Sequence, residues 1–196
     1  RPAVEQEEHR ALRLRIVLQI GGGEDGGSGL ALLVLQEGFA DHGVSEAAYL
    51  ADPEGNGLEF YCDRPRVQWP FRDGRLAMTT LPLDVRGLLA DASTKDAHPL
   101  AAACWGHLHL SVTNLARSQD FYERELGLTC TQDDYPGARF LAAGGYHHHV
   151  AINVWRRARL PWREAAPGAP ARLFSSGEKP VRELKDPDGI PLLVRG

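Results

Sequence analysis

The feature that most constrains the fold of this chain is a turn followed by a short strand-like segment, which occurs twice. An Asp-Pro-x-Gly turn at residues 52–55 precedes Leu-Glu-Phe at 58–60, and the same turn at 186–189 precedes Leu-Leu-Val at 192–194. Asp, Pro and Gly are turn formers for defined stereochemical reasons, so each copy predicts a β-hairpin. A repeated hairpin predicts that the chain is built from copies of one β-α-β-β-β unit.

The first 63 residues predict an incomplete copy of this unit. Six of the nine residues at 21–29 are glycine, which favours a loop. Hydrophobic alternation and composition predict the regular elements around it. These are a strand at 9–20, a short helix at 30–37 ended by Gly38, and strands at 44–50 and 58–62. We expect residues 64–103 to form a connector, with one or two helical turns near 82–89.

A more complete unit begins near Trp105. Thr113 or Asn114 can cap its helix, and Gly127 can end it. The expected order is a strand at 107–112, a helix at about 115–125, and strands at 128–132, 138–143 and 147–155. A proline-containing segment at 156–180 shows little pattern, and a hairpin of 181–185 with 191–194 follows it. The sequence therefore predicts an α+β protein with modules at 1–63 and 104–196, the second ending in a reduced repeat.

Composition excludes several classes of function. With 43% apolar and 24% charged residues, the chain of 196 residues has the balance of a soluble globular protein. Its net charge of −4 is spread without long blocks of one sign, so we expect neither a nucleic acid nor an anionic membrane as partner. The longest apolar runs are about six residues, whereas a membrane-spanning helix needs roughly 20. The polar, acidic N-terminal residues do not resemble a signal peptide, and three cysteines without a C-x-x-C pair favour reduced thiols in the cytoplasm.

The histidines indicate where chemistry is to be sought. Five of the eight lie within a 43-residue window, and histidine is the commonest metal ligand. On the predicted strand at 107–112, His107 and His109 face the same side. On the predicted strand at 147–155, His147 and His149 share a face with Asn153, while His148 faces the other side. Two such strands can converge imidazoles on a divalent metal ion, although a merely polar histidine run would give the same pattern.

The first module holds a second group of candidate residues. His42 precedes Tyr49, and Glu59 lies on the returning strand of the hairpin. A glutamate on a strand beside a histidine can bind a metal ion while the histidine supports it through a hydrogen bond. A solvent-facing glutamate on a hairpin is the alternative.

Several motifs together resemble one family. Residues 41–47 and 49–59 resemble the signature of extradiol ring-cleavage dioxygenases, with departures at Ala40 and Ala48. Other segments resemble the linker and the second domain of bacterial catechol 2,3-dioxygenase-like proteins; these are 63–66, Trp69, 76–80, 106–110, Phe121, Tyr122 and 144–149. That family belongs to the vicinal oxygen chelate superfamily, which also contains glyoxalases and bleomycin-resistance proteins.

The resemblance implies curved half-barrel sheets of β-α-β-β-β units and one metal ion, usually Fe(II), held by two histidines and one glutamate. Manganese and zinc are the alternative metals. Glu59 matches the glutamate ligand, His107 matches a ligand histidine on the first strand of a module, and His9 could match the other. His42 matches the signature histidine, which is catalytic and not a ligand. His147 and His149 are further candidate ligands, and we expect the substrate to be bound by His109, His148, Asn153 and Tyr49.

The function implied is a metal-dependent extradiol-type dioxygenase that cleaves a catecholic aromatic with O₂. A glyoxalase-like lyase or isomerase and a non-catalytic small-molecule binder of the drug-resistance type are the alternatives. The family has four units, whereas this chain resembles a truncated member that lacks the first unit and carries Leu193 where a fourth unit would repeat Glu59. Its two larger repeats can pair within the chain or with another copy, and we expect a homodimer.

Overall fold

The computed structural model describes residues 15–20, 35–51, 57–91, 104–155, 171–174 and 181–195. The fold within these ranges is α+β and rich in strands, as predicted. The strands are β1 (Arg15–Ile20), β2 (Leu35–Asp41), β3 (Ser45–Ala51), β4 (Gly57–Asp63), β5 (Phe71–Arg72), β6 (Arg75–Leu76), β7 (Cys104–Ser111), β8 (Thr129–Gln132), β9 (Ala138–Ala142), β10 (Val150–Asn153), β11 (Ala171–Phe174), β12 (Val181–Lys185) and β13 (Pro191–Arg195). The helices are α1 (Val85–Asp91) and α2 (Leu115–Leu126), with a 3₁₀ turn at Arg66–Gln68.

One large sheet joins the two predicted modules. Its eight described strands lie in the order β2-β3-β4-β1-β7-β10-β9-β8. One half contains β1 to β4 and the other contains β7 to β10. The first strand of each half, β1 or β7, lies at the centre of the sheet, and the last strand, β4 or β10, lies beside it. The halves meet where β1 and β7 run parallel, with Gln19 opposite His109. The two halves of the sheet thus pair within the chain, while the repeat arrangement and the homodimer stay predictions.

Several predicted elements are confirmed, because the local sequence there favours the same structure as pairing in the sheet does. The strands at 44–50, 58–62 and 107–112, helix α2 and the hairpin of β12 and β13 all form. Asn114 caps α2 by accepting a hydrogen bond from the backbone N–H of Arg117 at 3.0 Å. Gly127 ends the helix in the left-handed conformation, with φ of 66°.

Three predictions of secondary structure are wrong. Residues 35–37 form part of β2 and not of a helix, because their backbone pairs with β3, and these ladder hydrogen bonds outweigh the helix propensity of Leu and Gln. The strand at 147–155 is confined to Val150–Asn153, and residues 171–174, in the segment without pattern, form β11. Residues 9–14, 21–29 and 30–34, with His9, lie outside the described residues.

The sheet is covered on both faces over its second half. On one face, α2 and the β12–β13 hairpin enclose an apolar core; it contains Leu110, Val112, Tyr122, Leu141, Val150, Ile152, Ile190, Leu192 and Val194. On the opposite face, residues from the connector pack against β9 and β10; this cluster contains Val44, Trp69, Leu76, Met78, Ala138, Phe140 and Ala151. His109 is paired with Ala151 across β7 and β10, so the odd-numbered histidines of β7 point to the connector side. Among the described helices, none has the length and apolar character that crossing a membrane requires.

Removing the hydroxyl of Tyr122 should destabilise the protein measurably. The side chain of Tyr122 is fully buried in α2 and donates a hydrogen bond to Asp186 Oδ2 at 3.0 Å, which ties the helix to the β12–β13 turn. We expect Tyr122→Phe to lower the free energy of unfolding by about 1–3 kcal/mol, since a buried carboxylate oxygen loses its donor. Urea unfolding followed by circular dichroism measures this, and a change below about 0.5 kcal/mol would contradict a structural role for the bond.

Candidate metal centre

A buried carboxylate lies among histidines near the middle of the large sheet. Glu59 extends from β4, while His107 and His109 extend from β7, and the two strands flank β1. Glu59 Oε2 lies 3.2 Å from His107 Nε2 and 3.9 Å from His109 Nε2. Glu59 is only 6% exposed. A buried carboxylate requires this kind of compensation, because desolvation of an unpaired charge is costly.

His148 approaches the same group from the segment before β10. The rings of His107 and His148 have centroids 3.9 Å apart. One nitrogen from each of His107, His109 and His148 lies within 4.8 Å of the other two. The Nε2 atom of His148 is buried and has no hydrogen-bond partner among the described residues. Buried polar atoms are rarely left unpaired, so this nitrogen fits a bound ion, and imidazoles with a carboxylate suit Fe(II), Mn(II) or Zn(II).

The electrostatics of the cluster favour the protonation states that bind metal. Burial opposes ionisation of Glu59, but the hydrogen bond and charge of His107, together with the charges of His109 and His42, lower its pKa to about 2. Burial and the neighbouring His107 lower the pKa of His109 to about 3. The same two causes lower the pKa of His148 well below its usual value. The ionised carboxylate of Glu59 beside the neutral imidazoles of His109 and His148 is a donor set that suits a divalent cation.

His42 and Tyr49 lie on the other side of Glu59. The Nδ1–H of His42 donates to the carbonyl oxygen of Thr79 at 2.7 Å, which turns Nε2 towards Tyr49. The Tyr49 hydroxyl lies 2.5 Å from this nitrogen and 3.3 Å from Glu59 Oε1. Burial, together with the charge of Glu59, raises the pKa of Tyr49 strongly, so its hydroxyl stays protonated. His42 therefore presents an acid–base nitrogen whose tautomer is set by the backbone.

A cavity of about 310 Å³ opens beside these groups. Both halves of the sheet and the connector contribute to its walls, which are largely aromatic or apolar away from the histidines. The lining residues include His42, Tyr49, Leu50, Leu58, Glu59, Met78, Thr79, Thr80, His109, Tyr135, Phe140, His148 and Trp155. Ligand cavities span roughly 300–1,000 Å³, so this one has the size for a small ring compound.

The structure brings six of the sequence-predicted residues into one site: His42, Tyr49, Glu59, His107, His109 and His148. The others lie elsewhere. His147 is buried against Asp63, and His149 accepts a hydrogen bond from the backbone of Ala143. Asn153 is fully buried in β10 and does not line the cavity, and His9 lies outside the described residues.

The prediction that His148 faces the opposite side from His147 is wrong, because their Nδ1 atoms lie 2.7 Å apart, and the reason is local. Gly144 and Gly145 adopt φ of 61° and 69° and form a turn, and regular pairing of β10 resumes only at Val150. Residues outside a strand need not alternate between faces. His148 therefore points to the candidate metal centre, where the strand pattern predicts His147 and His149.

Three residues near the site are absent from the sequence-based set: Tyr61, Asp63 and Tyr146. Tyr61 and Asp63 follow Glu59 on β4 at intervals of two residues. Alternation along the strand therefore places Glu59, Tyr61 and Asp63 on one face. That signal is readable from the sequence once the strand is recognised. The contact of Tyr146 with Asp63 has no such signal, because the two residues are 83 positions apart.

Comparison with known proteins gives one strong similarity. No protein-family model matches the chain. A protein of Bacillus subtilis (strain 168) named Catechol-2,3-dioxygenase is 43% identical over 142 residues, which cover 68% of this chain and 50% of that protein. The chain thus spans about half the length of the curated relative that it matches.

Proposed function

We propose that this chain is a member of the extradiol branch of the vicinal oxygen chelate superfamily, and that its site cleaves a catecholic aromatic with O₂ in a metal-dependent reaction. The observation that carries this proposal is the buried Glu59 carboxylate among three imidazoles at the wall of an aromatic-lined cavity. The similarity to a catechol-2,3-dioxygenase supports it, as does a second half that runs β7-α2-β8-β9-β10.

Glu59 and His107 would hold the metal ion, with His148 and His109 as the further donors that the structure brings near. Fe(II) is the metal we propose, with manganese or zinc as alternatives. When bound, such an ion would supply the redox chemistry that links a catecholate to O₂. His147 and His149 are not part of this proposed set, because their contacts lie with Asp63 and Ala143.

The other residues of the cavity have roles that follow from their positions. With Nδ1–H held by the Thr79 carbonyl, His42 can take a proton at Nε2 from a hydroxyl of the substrate and return it later. Phe140 and Trp155 line the cavity and can pack against an aromatic ring. The aromatic walls of the cavity thus favour a planar substrate. His42 favours a substrate with a hydroxyl that loses its proton in the reaction.

Oxygen consumption tests the proposal directly. We expect protein loaded with Fe(II) under anaerobic conditions to consume about one O₂ per catechol and to release a yellow ring-opened product. An oxygen electrode and a visible spectrum measure both quantities in one sample. Phenol, which lacks the second hydroxyl, and the metal-free protein are the controls and should give neither signal.

Two other outcomes would replace the proposal. Turnover of a thiol hemiacetal without O₂ would indicate a glyoxalase-like lyase or isomerase that uses the same residues. Tight binding of catechol without any turnover, in protein shown to contain iron, would indicate a small-molecule binding protein.

A further inference from the structure

Two chains of hydrogen bonds connect the candidate metal centre to a single carboxylate, that of Asp63. The shorter chain passes through His147. Its Nε2 lies 2.8 Å from Asp63 Oδ1, and its Nδ1 lies 2.7 Å from the Nδ1 of His148. The side chains of His147 and His148 are both buried. The bond between His147 and His148 therefore lies inside the protein, where water does not compete for it.

The longer chain passes through two tyrosines. The Nδ1 atom of His107 lies 3.0 Å from the Tyr61 hydroxyl, which lies 3.0 Å from the Tyr146 hydroxyl. Tyr146 in turn donates to the Asp63 carboxylate at 2.9 Å. Asp63 is thus connected, through different intermediates, to the Nδ1 atoms of two histidines whose ring centroids lie 3.9 Å apart.

The directions of these bonds follow from the carboxylate end. An ionised carboxylate can only accept hydrogen bonds, so His147 carries its proton on Nε2 and offers a lone pair at Nδ1. His148 must then donate from Nδ1–H, which leaves the lone pair of its Nε2 exposed to the centre. This is the nitrogen that is buried without a partner.

The same reasoning applies to the tyrosine chain. Since Tyr146 donates to Asp63, its oxygen accepts from Tyr61, and the oxygen of Tyr61 accepts from Nδ1–H of His107. The Nε2 atom of His107 is thereby turned to Glu59 Oε2, 3.2 Å away. Both atoms would then be directed to a bound cation.

Strand geometry places the parts of this arrangement. Glu59, Tyr61 and Asp63 are two residues apart on β4 and share one face, so a ligand, a connecting hydroxyl and the carboxylate lie in a row. Gly106 makes room for the middle member. A Cβ atom at that position would lie 2.2 Å from the Tyr61 hydroxyl, which no side chain can tolerate without displacing the tyrosine.

We propose that Asp63 is a positioning residue that holds His107 and His148 in the Nδ1–H form, so that both direct Nε2 to the metal centre. The proposal rests on the metal centre proposed above, but it makes a statement about the metal-free protein that can be tested separately. Hydrogen-bond acceptors behind ligand histidines fix the tautomer and ring orientation in many metal sites, and their loss lowers metal affinity about 10–100-fold.

Nuclear magnetic resonance of metal-free protein with ¹⁵N-labelled histidine tests the proposal. Long-range ¹H–¹⁵N correlations distinguish Nδ1–H from Nε2–H imidazoles, and single histidine-to-glutamine variants assign the signals. We expect His148 to be the Nδ1–H tautomer and His107 to carry a proton on Nδ1. In Asp63→Asn the amide can donate to Nε2 of His147, which reverses the shorter chain, so His148 should change to the Nε2–H tautomer.

Zinc titration provides the second readout. By calorimetry with a competing chelator, Asp63→Asn should bind Zn²⁺ about 10–100-fold more weakly. Tyr146→Phe interrupts the chain to His107 and leaves the contact of Asp63 with His147 in place, so His148 should remain Nδ1–H. Asp133→Asn, which removes an exposed carboxylate paired with Arg75, is the matched control and should change neither tautomer nor affinity.

An Nε2–H tautomer of His148 in the unaltered protein would overturn the proposal, even if Asp63→Asn fails to fold. A folded Asp63→Asn protein with an unchanged His148 tautomer would overturn it as well. Failure to cleave catechol would count against the proposed function and leave the tautomers as measured. Normal cleavage with the wrong tautomers would refute only the role of Asp63.

Discussion

Glu59→Gln should abolish tight metal binding while the protein remains folded. Glu59 supplies the negative charge nearest to His107 and His109, with its Oε2 atom 3.2 Å and 3.9 Å from their Nε2 atoms. Glutamine keeps the shape of the side chain and loses the charge that attracts a divalent ion, so we expect affinity to fall by at least about 100-fold. Metal analysis of anaerobically purified protein, followed by calorimetric titration, measures the loss.

Glu46→Gln is the matched control for this substitution. Glu46 lies on the neighbouring strand β3 and binds the guanidinium of Arg64 at 2.7 Å, away from the histidines. Its replacement should leave metal content unchanged. If both Glu59→Gln and His107→Ala retain full metal content, the ion is held elsewhere and the proposed centre is wrong.

The second half of the large sheet is predictable because local and long-range preferences coincide there. Asn114 caps α2, Gly127 ends it, and the apolar residues between them face the core that β7 and β10 provide. Residues 35–37 show the opposite case. Their helix-forming composition is outweighed by pairing with β3, and a preference of a few tenths of a kcal/mol per residue cannot compete with a ladder of backbone hydrogen bonds.

The site is predictable only where it lies on regular strands. Glu59 and His107 occupy β4 and β7, where alternation fixes the facing side once the strand is known. The three consecutive histidines at 147–149 lie outside a strand, so their orientation depends on tertiary contacts. The contact that fixes His147 joins it to Asp63, 84 positions away, and no sequence spacing predicts such a pair.

His148→Gln should weaken metal binding sharply, whereas His149→Gln should leave it nearly unchanged. His148 packs against His107 with a centroid separation of 3.9 Å, and its Nε2 atom is buried without a hydrogen-bond partner in the described part of the chain. His149 instead packs against Tyr146 and bonds the backbone of Ala143 at 3.2 Å. Removal of a nitrogen donor should cost at least about 10-fold in Zn²⁺ affinity, measured by titration of both variants against a chelator.

The two variants distinguish the structure-based assignment from the sequence-based one. The sequence-based assignment gives ligand roles to His147 and His149 and a substrate contact to His148. Equal loss of affinity in His148→Gln and His149→Gln would mean that the whole segment shifts when either ring is removed. Loss in His149→Gln alone would restore the strand-based assignment. Loss in His148→Gln alone, with His149→Gln matching the unaltered protein, is the expected result, since only His148 combines burial at the centre with an unbonded nitrogen.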